Sequence, residues 1–292
     1  MEDEIQHNDQ KRQCKIGVVL GSGGIKALSS IPLFEFLEQE GIKPDLLVGC
    51  SGGGVLSSAW AMLQDASRVR KLAGELWRRD IFQKVDYRTL LAIAGLPCGR
   101  FDKSHGLVKA ENLHLTLIKL FGDQQIQDLS TRLILQSTDL LTGAPVLLTS
   151  GTLWDAVYAS SAMFPILPPI CREGRWLIDG VYSSPVPILE AVHNDMDVII
   201  AMSYEVREAE ETNNFIAHFM HCIAYQSTWL TRSQLALSVD LHHHEIIFIN
   251  VVFDKHLGFK SVENIPAIIE IGQQAVDAKK EEILAAINNY KA

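Results

Sequence analysis

The chain has 292 residues, 47% of them hydrophobic and 21% charged, a balance that excludes a disordered or fibrous chain and provides for a large buried core. Its formal net charge of -9 argues against nucleic acid as a partner, because a phosphate backbone demands a basic face. Contact with a membrane surface stays open, since apolar insertion works without a basic patch.

Residues 1–13 read as a polar, flexible tail with no apolar core of the kind a secretory signal needs, and no apolar run in the chain is long enough to span a bilayer. Cys14, Cys50, Cys98, Cys171 and Cys222 are scattered and odd in number, which fits reduced thiols. The expectation is a cytoplasmic protein, at most peripheral to a membrane.

Order is expected from residue 15. Ile16-Gly17-Val18-Val19-Leu20 is a short apolar run ending in Gly21-Ser22-Gly23-Gly24, and residues 25–40 carry apolar side chains at Leu28, Ile31, Phe34, Phe36 and Leu37. That pattern predicts strand, tight glycine loop and amphipathic helix. Gly41 stops the helix and Pro44 keeps the connection short. Residues 45–56 then give a second apolar run, ending in Gly49-Cys50-Ser51-Gly52-Gly53 and continuing into a helical pattern. Strand, helix and strand in this order make a right-handed parallel crossover, which brings both glycine turns to the same carboxyl edge of a sheet.

The helical pattern persists over residues 55–79. Residues 82–100 are mixed, with Leu90-Leu91-Ala92-Ile93-Ala94 ahead of Gly95 and Pro97; such a stretch serves as a lid, an interfacial segment or, more commonly, a buried helix. Residues 112–120 predict a helix, residues 132–137 and 145–149 a hairpin, and residues 153–161 a helix broken by the prolines at 165, 168 and 169. Residues 175–181 form an apolar strand that delivers Asp179 into a glycine turn. A charged loop at 205–211, a long helix at 215–239, a strand at 245–253 and a final helix at 265–290 follow. With no linker in view, the expected organisation is one domain over residues 14–292, its core motifs in 15–204 and its C-terminal helices and strand in 205–292.

Gly-x-Ser-x-Gly at the junction of an apolar run and a helix has the geometry of a nucleophile elbow, in which a serine hydroxyl stands exposed above a sheet. Gly49 and Gly53 flank Ser51 closely enough that a Cβ at either would crowd the turn, and the amide of Gly52 is free to meet a developing oxyanion. A glycine-rich turn capped by its serine is the bland alternative. The other turn presents a concave row of amides that suits a phosphate or an oxyanion. It lacks the third glycine of a dinucleotide fingerprint and the Lys-Ser/Thr ending of a P-loop, so Gly21, Gly23 and Gly24 are assigned to an oxyanion hole, with Lys26 as a nearby positive charge. A serine needs a base, and Asp179 is the candidate: desolvation in an apolar pocket would raise its pKa from the usual value of about 3.9. An isolated Asp-Gly is by default a turn. A Ser-His-Asp triad would draw on His193, His218, His221 or His256, none of them beside a positioning feature. His242-His243-His244 and the group His218, His221 and Cys222 lack a further ligand at metal spacing.

Four blocks in order, Gly21-Ser22-Gly23-Gly24-Ile25-Lys26, Gly49-Cys50-Ser51-Gly52-Gly53, Ala159-Ser160-Ser161-Ala162 and Asp179-Gly180 ahead of Ser184-Pro185-Val186-Pro187, resemble the patatin-like phospholipases over residues 15–204. The resemblance implies a three-layer α/β/α fold with a mostly parallel central sheet. It also implies a Ser51-Asp179 dyad without a catalytic histidine, an oxyanion hole in the first glycine loop, and hydrolysis of (lyso)phospholipid or related lipid esters with no metal or cofactor. The expected partners are a lipid ester and, transiently, a membrane surface, while the oligomeric state stays open. Three departures stand out. Ser22 and Ala27 occupy places where the family usually has glycine, a change that spares the loop amides only if neither has a positive φ. Val181 replaces a glycine or alanine and would narrow the site. Acyl transfer on the same fold, or a catalytically silent lipid-binding module, are the alternatives.

Overall fold

The structure is a computed structural model that describes residues 14–77, 84–207, 214–241, 245–254 and 262–291. The expected tail at 1–13, the triplet His242-His243-His244, His256 and residues 208–211 of the charged loop lie outside the described residues.

Eight strands form one sheet: β1 (Ile16–Leu20), β2 (Leu46–Cys50), β3 (Arg132–Asp139), β4 (Pro145–Leu148), β5 (Ile170–Arg172), β6 (Arg175–Asp179), β7 (Val198–Val206) and β8 (Glu245–Phe253). The order is β5-β6-β3-β2-β1-β7-β8, with β4 paired to β3 off that path. The pairs β2·β3, β1·β2, β1·β7 and β7·β8 are parallel, and those of β3 with β4 and β6, and of β5 with β6, are antiparallel. The helices are α1 (Ile31–Gln39), α2 (Gly52–Leu63), α3 (Ala66–Leu76), α4 (Tyr87–Ile93), α5 (Glu111–Phe121), α6 (Leu153–Ser161), α7 (Ile188–His193), α8 (Phe215–Leu241), α9 (Ile265–Asp277) and α10 (Lys280–Lys291).

A strand sends alternate side chains to opposite faces, and a parallel sheet covered on both faces needs apolar residues at every position. The central strands obey this. Val18 and Leu20 of β1, Leu47 of β2, and Val198, Ile200 and Met202 of β7 enter the core shared with α1, α2, α5, α6 and α9. Val19, Leu46, Val48, Ile199 and Ala201 point into the opposite core, packed by Ile188, Ala191 and Val192 of α7 and by Leu235 of α8. The architecture is three-layered, α/β/α, with a mostly parallel central sheet.

Local differences from the sequence reading have identifiable causes. Residues 25–40 are not one helix: a 3-10 segment, Gly24–Ser30, precedes α1, and nearly all of it is buried. The pattern over 55–79 breaks at Gln64, which has φ 50°; its Nε2 donates to Trp60 O, Ala61 O and Thr131 Oγ1. The final helix divides into α9 and α10. β5, α7 and β7 were not anticipated as elements. Of the readings open for residues 82–100, a fully buried helix is set aside, because α4 leaves Tyr87 72% and Ile93 68% exposed.

Strand β3 organises the site. Leu135–Thr138 pair with β4, so the partners of the opposite edge are β2, up to Cys50↔Gln136, and β6, starting at Ser137↔Asp179. Strands β2 and β6 therefore end against consecutive residues of β3. That brings the residue after β2, Ser51, to the end of β6 at Asp179.

Candidate active site

Ser51 joins β2 to α2 with φ 54° and ψ -124°, a region that non-glycine residues occupy only at a cost of order 1–3 kcal/mol and that recurs at functional sites. Its neighbours hold it there. A Cβ at Gly49 would fall 2.5 Å from Gly54 Cα, one at Gly53 would meet the carbonyl groups of Leu20 and Gly21, and one at Gly52 would meet the carbonyl of Gly24. The turn is so tightly folded that both elbow glycines answer to space, as the sequence suggested. Ser160, on α6 and fully buried, accepts a hydrogen bond from Ser51 N at 3.0 Å and donates to Gln136 O at 2.7 Å. It ties the strained peptide to β3.

Ser51 Oγ donates to Asp179 Oδ2 at 2.7 Å. The other carboxylate oxygen accepts from Val181 N at 2.9 Å. Asp179 is wholly buried, and burial pushes its pKa up to about 7 against the opposing pull of those two hydrogen bonds. The same burial, with Asp179 alongside, holds the Cys50 thiol well above its ordinary range, so Cys50 stays protonated next to the carboxylate.

The first glycine turn faces this pair, with its amides divided. Gly21 N donates to Met202 O at 3.0 Å and Ser22 N to Pro185 O at 2.7 Å; both anchor the loop to β7 and to the segment before α7. Gly21, assigned to the oxyanion hole from sequence, therefore has its amide already engaged. The amides of Gly23, Gly24 and Gly52 open a 3-10 segment and an α-helix, where the first N–H groups have no partner in their own helix. Gly24 has φ 54°, while neither Ser22 nor Ala27 falls among the residues with positive φ. The two departures from the family's glycines thus leave the backbone path intact.

Lys26 is buried, and its Nζ donates to Tyr204 O at 3.2 Å. Burial lowers its pKa to about 8, with Glu205 pulling the other way. Val181 packs with Met163 and Ile166. These residues, Ser51 and Asp179 share one cavity of about 650 Å³, whose walls include Leu113, Leu117, Val157, Ile166 and Met220. Of the histidines weighed as a third member, His193 ends α7, His218 and His221 lie on α8, and His221 lines the cavity. Among the described residues no three His, Cys, Asp or Glu side chains gather as a metal site would require. The sequence marks Ser160 only as a small polar residue in the run Ala159-Ser160-Ser161-Ala162, and its bonds to Ser51 and Gln136 emerge from the fold.

The molecule can be set beside known proteins. A sequence model described as patatin-like phospholipase matches residues 18–192. The lysophospholipase nte1 of Aspergillus oryzae is 28% identical over 202 residues, covering 67% of this chain and 12% of that protein; the lysophospholipase NTE1 of Kluyveromyces lactis is 28% identical over 194 residues, covering 64% and 12%. The chain thus spans about an eighth of the length of these relatives. The crystal structure of VipD from Legionella pneumophila superimposes with a TM-score of 0.49 at 13% identity, covering 91% of this chain and 67% of that one. Among the described residues no helix is long and apolar enough to cross a membrane. The family match takes in both glycine turns, β3, α6 and the end of β6, well over half of the chain, and the chain belongs to the patatin-like phospholipase family.

Proposed function

We propose that this chain is a serine lipid acyl hydrolase that cleaves carboxylic esters of lysophospholipids or related lipids through a Ser51-Asp179 dyad. The observation that carries the reading is the 2.7 Å hydrogen bond from Ser51 Oγ to Asp179 Oδ2, buried in the floor of a large cavity with apolar walls. A carboxylate whose pKa lies near 7 is a far better proton acceptor at neutral pH than an aspartate in water. Membership of the family supports the substrate class, as do the names of the lysophospholipase relatives.

Asp179 takes the Ser51 proton as Oγ attacks the ester carbonyl. The amides of Gly23, Gly24 and Gly52 receive the negative oxygen, and the protonated Asp179 returns its proton to the departing alcohol. Water then attacks the acyl-serine, Asp179 accepts its proton, and the fatty acid leaves as Ser51 recovers its hydrogen. Gly21 and Ser22, whose own amides are engaged, hold the loop in place.

Labelling with a fluorophosphonate, mapped by mass spectrometry, tests the assignment. The expected result is modification at Ser51, absent in Ser51→Ala and slowed by about 100-fold or more in Asp179→Asn. Folded protein that takes no label and releases no fatty acid from lysophosphatidylcholine would replace this reading with a silent lipid-binding module.

A further inference from the structure

The exposed large apolar side chains of the described residues gather mainly in two places. One is residues 87–101, with Tyr87, Leu90, Ile93, Leu96 and Phe101; the other is α8, with Phe215, Tyr225 and Trp229 prominent. Their charge differs. Residues 84–109 carry Lys84, Arg88, Arg100, Lys103 and Lys109 against Asp86 and Asp102, in a chain whose formal net charge is -9. All five cations are exposed, whereas Asp86 is buried as the cap of α4, accepting from the amides of Arg88 and Thr89. Lys84 pairs with Glu111 at 3.5 Å and Lys103 lies over the Trp176 ring, which leaves Arg88, Arg100 and Lys109 for a partner outside the molecule. The corresponding cation of α8, Arg232, is engaged by Glu205 and by Trp229.

The base of this segment is part of the cavity wall. Asp86 N donates to Leu107 O and Lys109 N to Lys84 O, closing the two limbs together. Leu107 N and Val108 N donate to Pro165 O and Ile166 O, and Val108 and Ile166 both line the cavity. From that base the chain runs outward to α4, where Tyr87, Leu90 and Ile93 recur at the three-residue spacing that puts them on one side of a helix. Arg100 N returns to Arg88 O at 3.2 Å, which sets the two arginines' backbones side by side.

We infer that residues 84–109 are an interfacial anchor that docks on an anionic lipid bilayer, its apolar tip inserted and its arginine and lysine side chains level with the lipid phosphates. The inference rests on the lipid-ester reading of the cavity, since docking there sets the cavity rim against the surface that supplies the substrate. Apolar insertion joined to basic side chains is how a surface-bound segment gains affinity for negative lipid. Apolar residues without such a fringe, as on α8, give no preference for lipid charge.

Flotation with vesicles tests it, using phosphatidylcholine alone and phosphatidylcholine mixed with phosphatidylserine. The protein is expected to float with the mixed vesicles and much less with phosphatidylcholine. Ile93→Asp with Leu96→Asp, and separately Arg88→Glu with Arg100→Glu, should each lower partitioning by about tenfold or more, while Trp229→Asp on α8 stays within about twofold of the parent. All of these positions are exposed, so the variants should keep the parent's circular dichroism, and hydrolysis of the water-soluble ester 4-nitrophenyl butyrate should be unchanged. Flotation that persists in a protein without ester hydrolysis would uphold the anchor while sinking the hydrolase reading. A parent that cleaves the soluble ester but floats with neither vesicle overturns the anchor, as does flotation lost in Trp229→Asp and kept in the tip variants. A dimer that Leu96→Asp disperses, in place of vesicle binding, would assign the tip to a second copy and overturn it equally.

Discussion

The two glycine turns sit side by side on adjacent parallel strands, yet they use glycine for different reasons. In the elbow the residue with the unusual backbone is the serine, at φ 54°, and the glycines around it are there because other backbone passes within contact of where a Cβ would be. In the first turn the positive φ falls on Gly24, where a Cβ would meet nothing within 4 Å. Gly21 and Gly23 meet side chains first, Val186 and the ring of Tyr204, with the carbonyls of Met202 and Pro185 next nearest to Gly21. The elbow is therefore locked by backbone against backbone, whereas the first turn packs foremost against the buried side chains of Val186 and Tyr204. In the proposed mechanism the elbow positions a nucleophile and the loop receives an oxyanion, and these are unequal demands on the backbone.

Gly53→Ala is the severest way to test that contrast. Its Cβ would meet the carbonyls of Leu20 and Gly21, which belong to β1 and the adjoining loop and have nowhere to go. A loss of at least about 3 kcal/mol is expected, read as a large fall in the thermal midpoint or as failure to fold. Gly24→Ala meets no atom within 4 Å and answers only for its φ, at a cost of roughly 1–2 kcal/mol. Equal losses in the two variants would end the distinction drawn between the turns.

Ser160→Ala asks how far the elbow depends on its outside support. The substitution removes the acceptor for Ser51 N and the donor to Gln136 O, both buried. Leaving two such groups unpaired costs about 1–3 kcal/mol apiece when nothing replaces the bonds. A small alanine in place of serine creates no clash, so the protein should remain folded while kcat falls by roughly tenfold to 100-fold with KM little changed. If KM rises and kcat holds, Ser160 supports the cavity and not the nucleophile.

The sequence made the elbow legible because its signal is local: an apolar run, a glycine on each side of the serine, and a helical pattern at once. Asp179 was legible for the same reason, as the last residue of an apolar strand entering a glycine. Ser160 was not, because its importance arises from contacts with Ser51 and Gln136, far away in the chain. Strand β7 went unmarked although it lies next to β1, since a short continuous apolar run such as Val198–Met202 looks alike in a buried strand and a buried helix. The break after α2 was hidden because glutamine is no helix breaker; Gln64 holds its left-handed backbone through bonds that include one to Thr131. The apolar run of α4 reads as core by composition, and only the fold reveals that nothing in the described chain covers its outer side.

The two turns should also respond differently to pH, because the elbow borders Asp179 and the first turn borders Lys26. The proposed role of Asp179 as base requires it to be ionised, so kcat/KM for a neutral ester should climb as pH rises towards about 7 and level off above it, falling about tenfold per unit on the acid side. Stability should run the other way. Burial raises the folded pKa of Asp179 above its unfolded value, so between about 4 and about 7 the folded state holds a proton that the unfolded state has released, and stability declines as pH rises through that window. Asp179→Asn should therefore raise the melting temperature at about pH 8 and do little at or below about pH 4. An acid limb that survives in a variant still active without Asp179 would assign it to another group.

The mildest test restores a glycine that the family usually has. Ala27 is fully buried in the 3-10 segment after the first turn, has no positive φ, and packs in the main core. Ala27→Gly supplies a conformational freedom the backbone does not use there, and removes a methyl group from a filled space. The expected cost is about 1 kcal/mol of stability, from unfolded-chain entropy and lost packing together, with fluorophosphonate labelling of Ser51 no faster than in the parent. Faster labelling would mean that alanine had been holding the loop amides off their best positions, and the first turn would then be as exacting about its backbone as the elbow. A lower melting temperature with unchanged labelling would leave the contrast as drawn, with the loop held by the bonds of Gly21 N to Met202 O and Ser22 N to Pro185 O and not by the residue that follows Lys26.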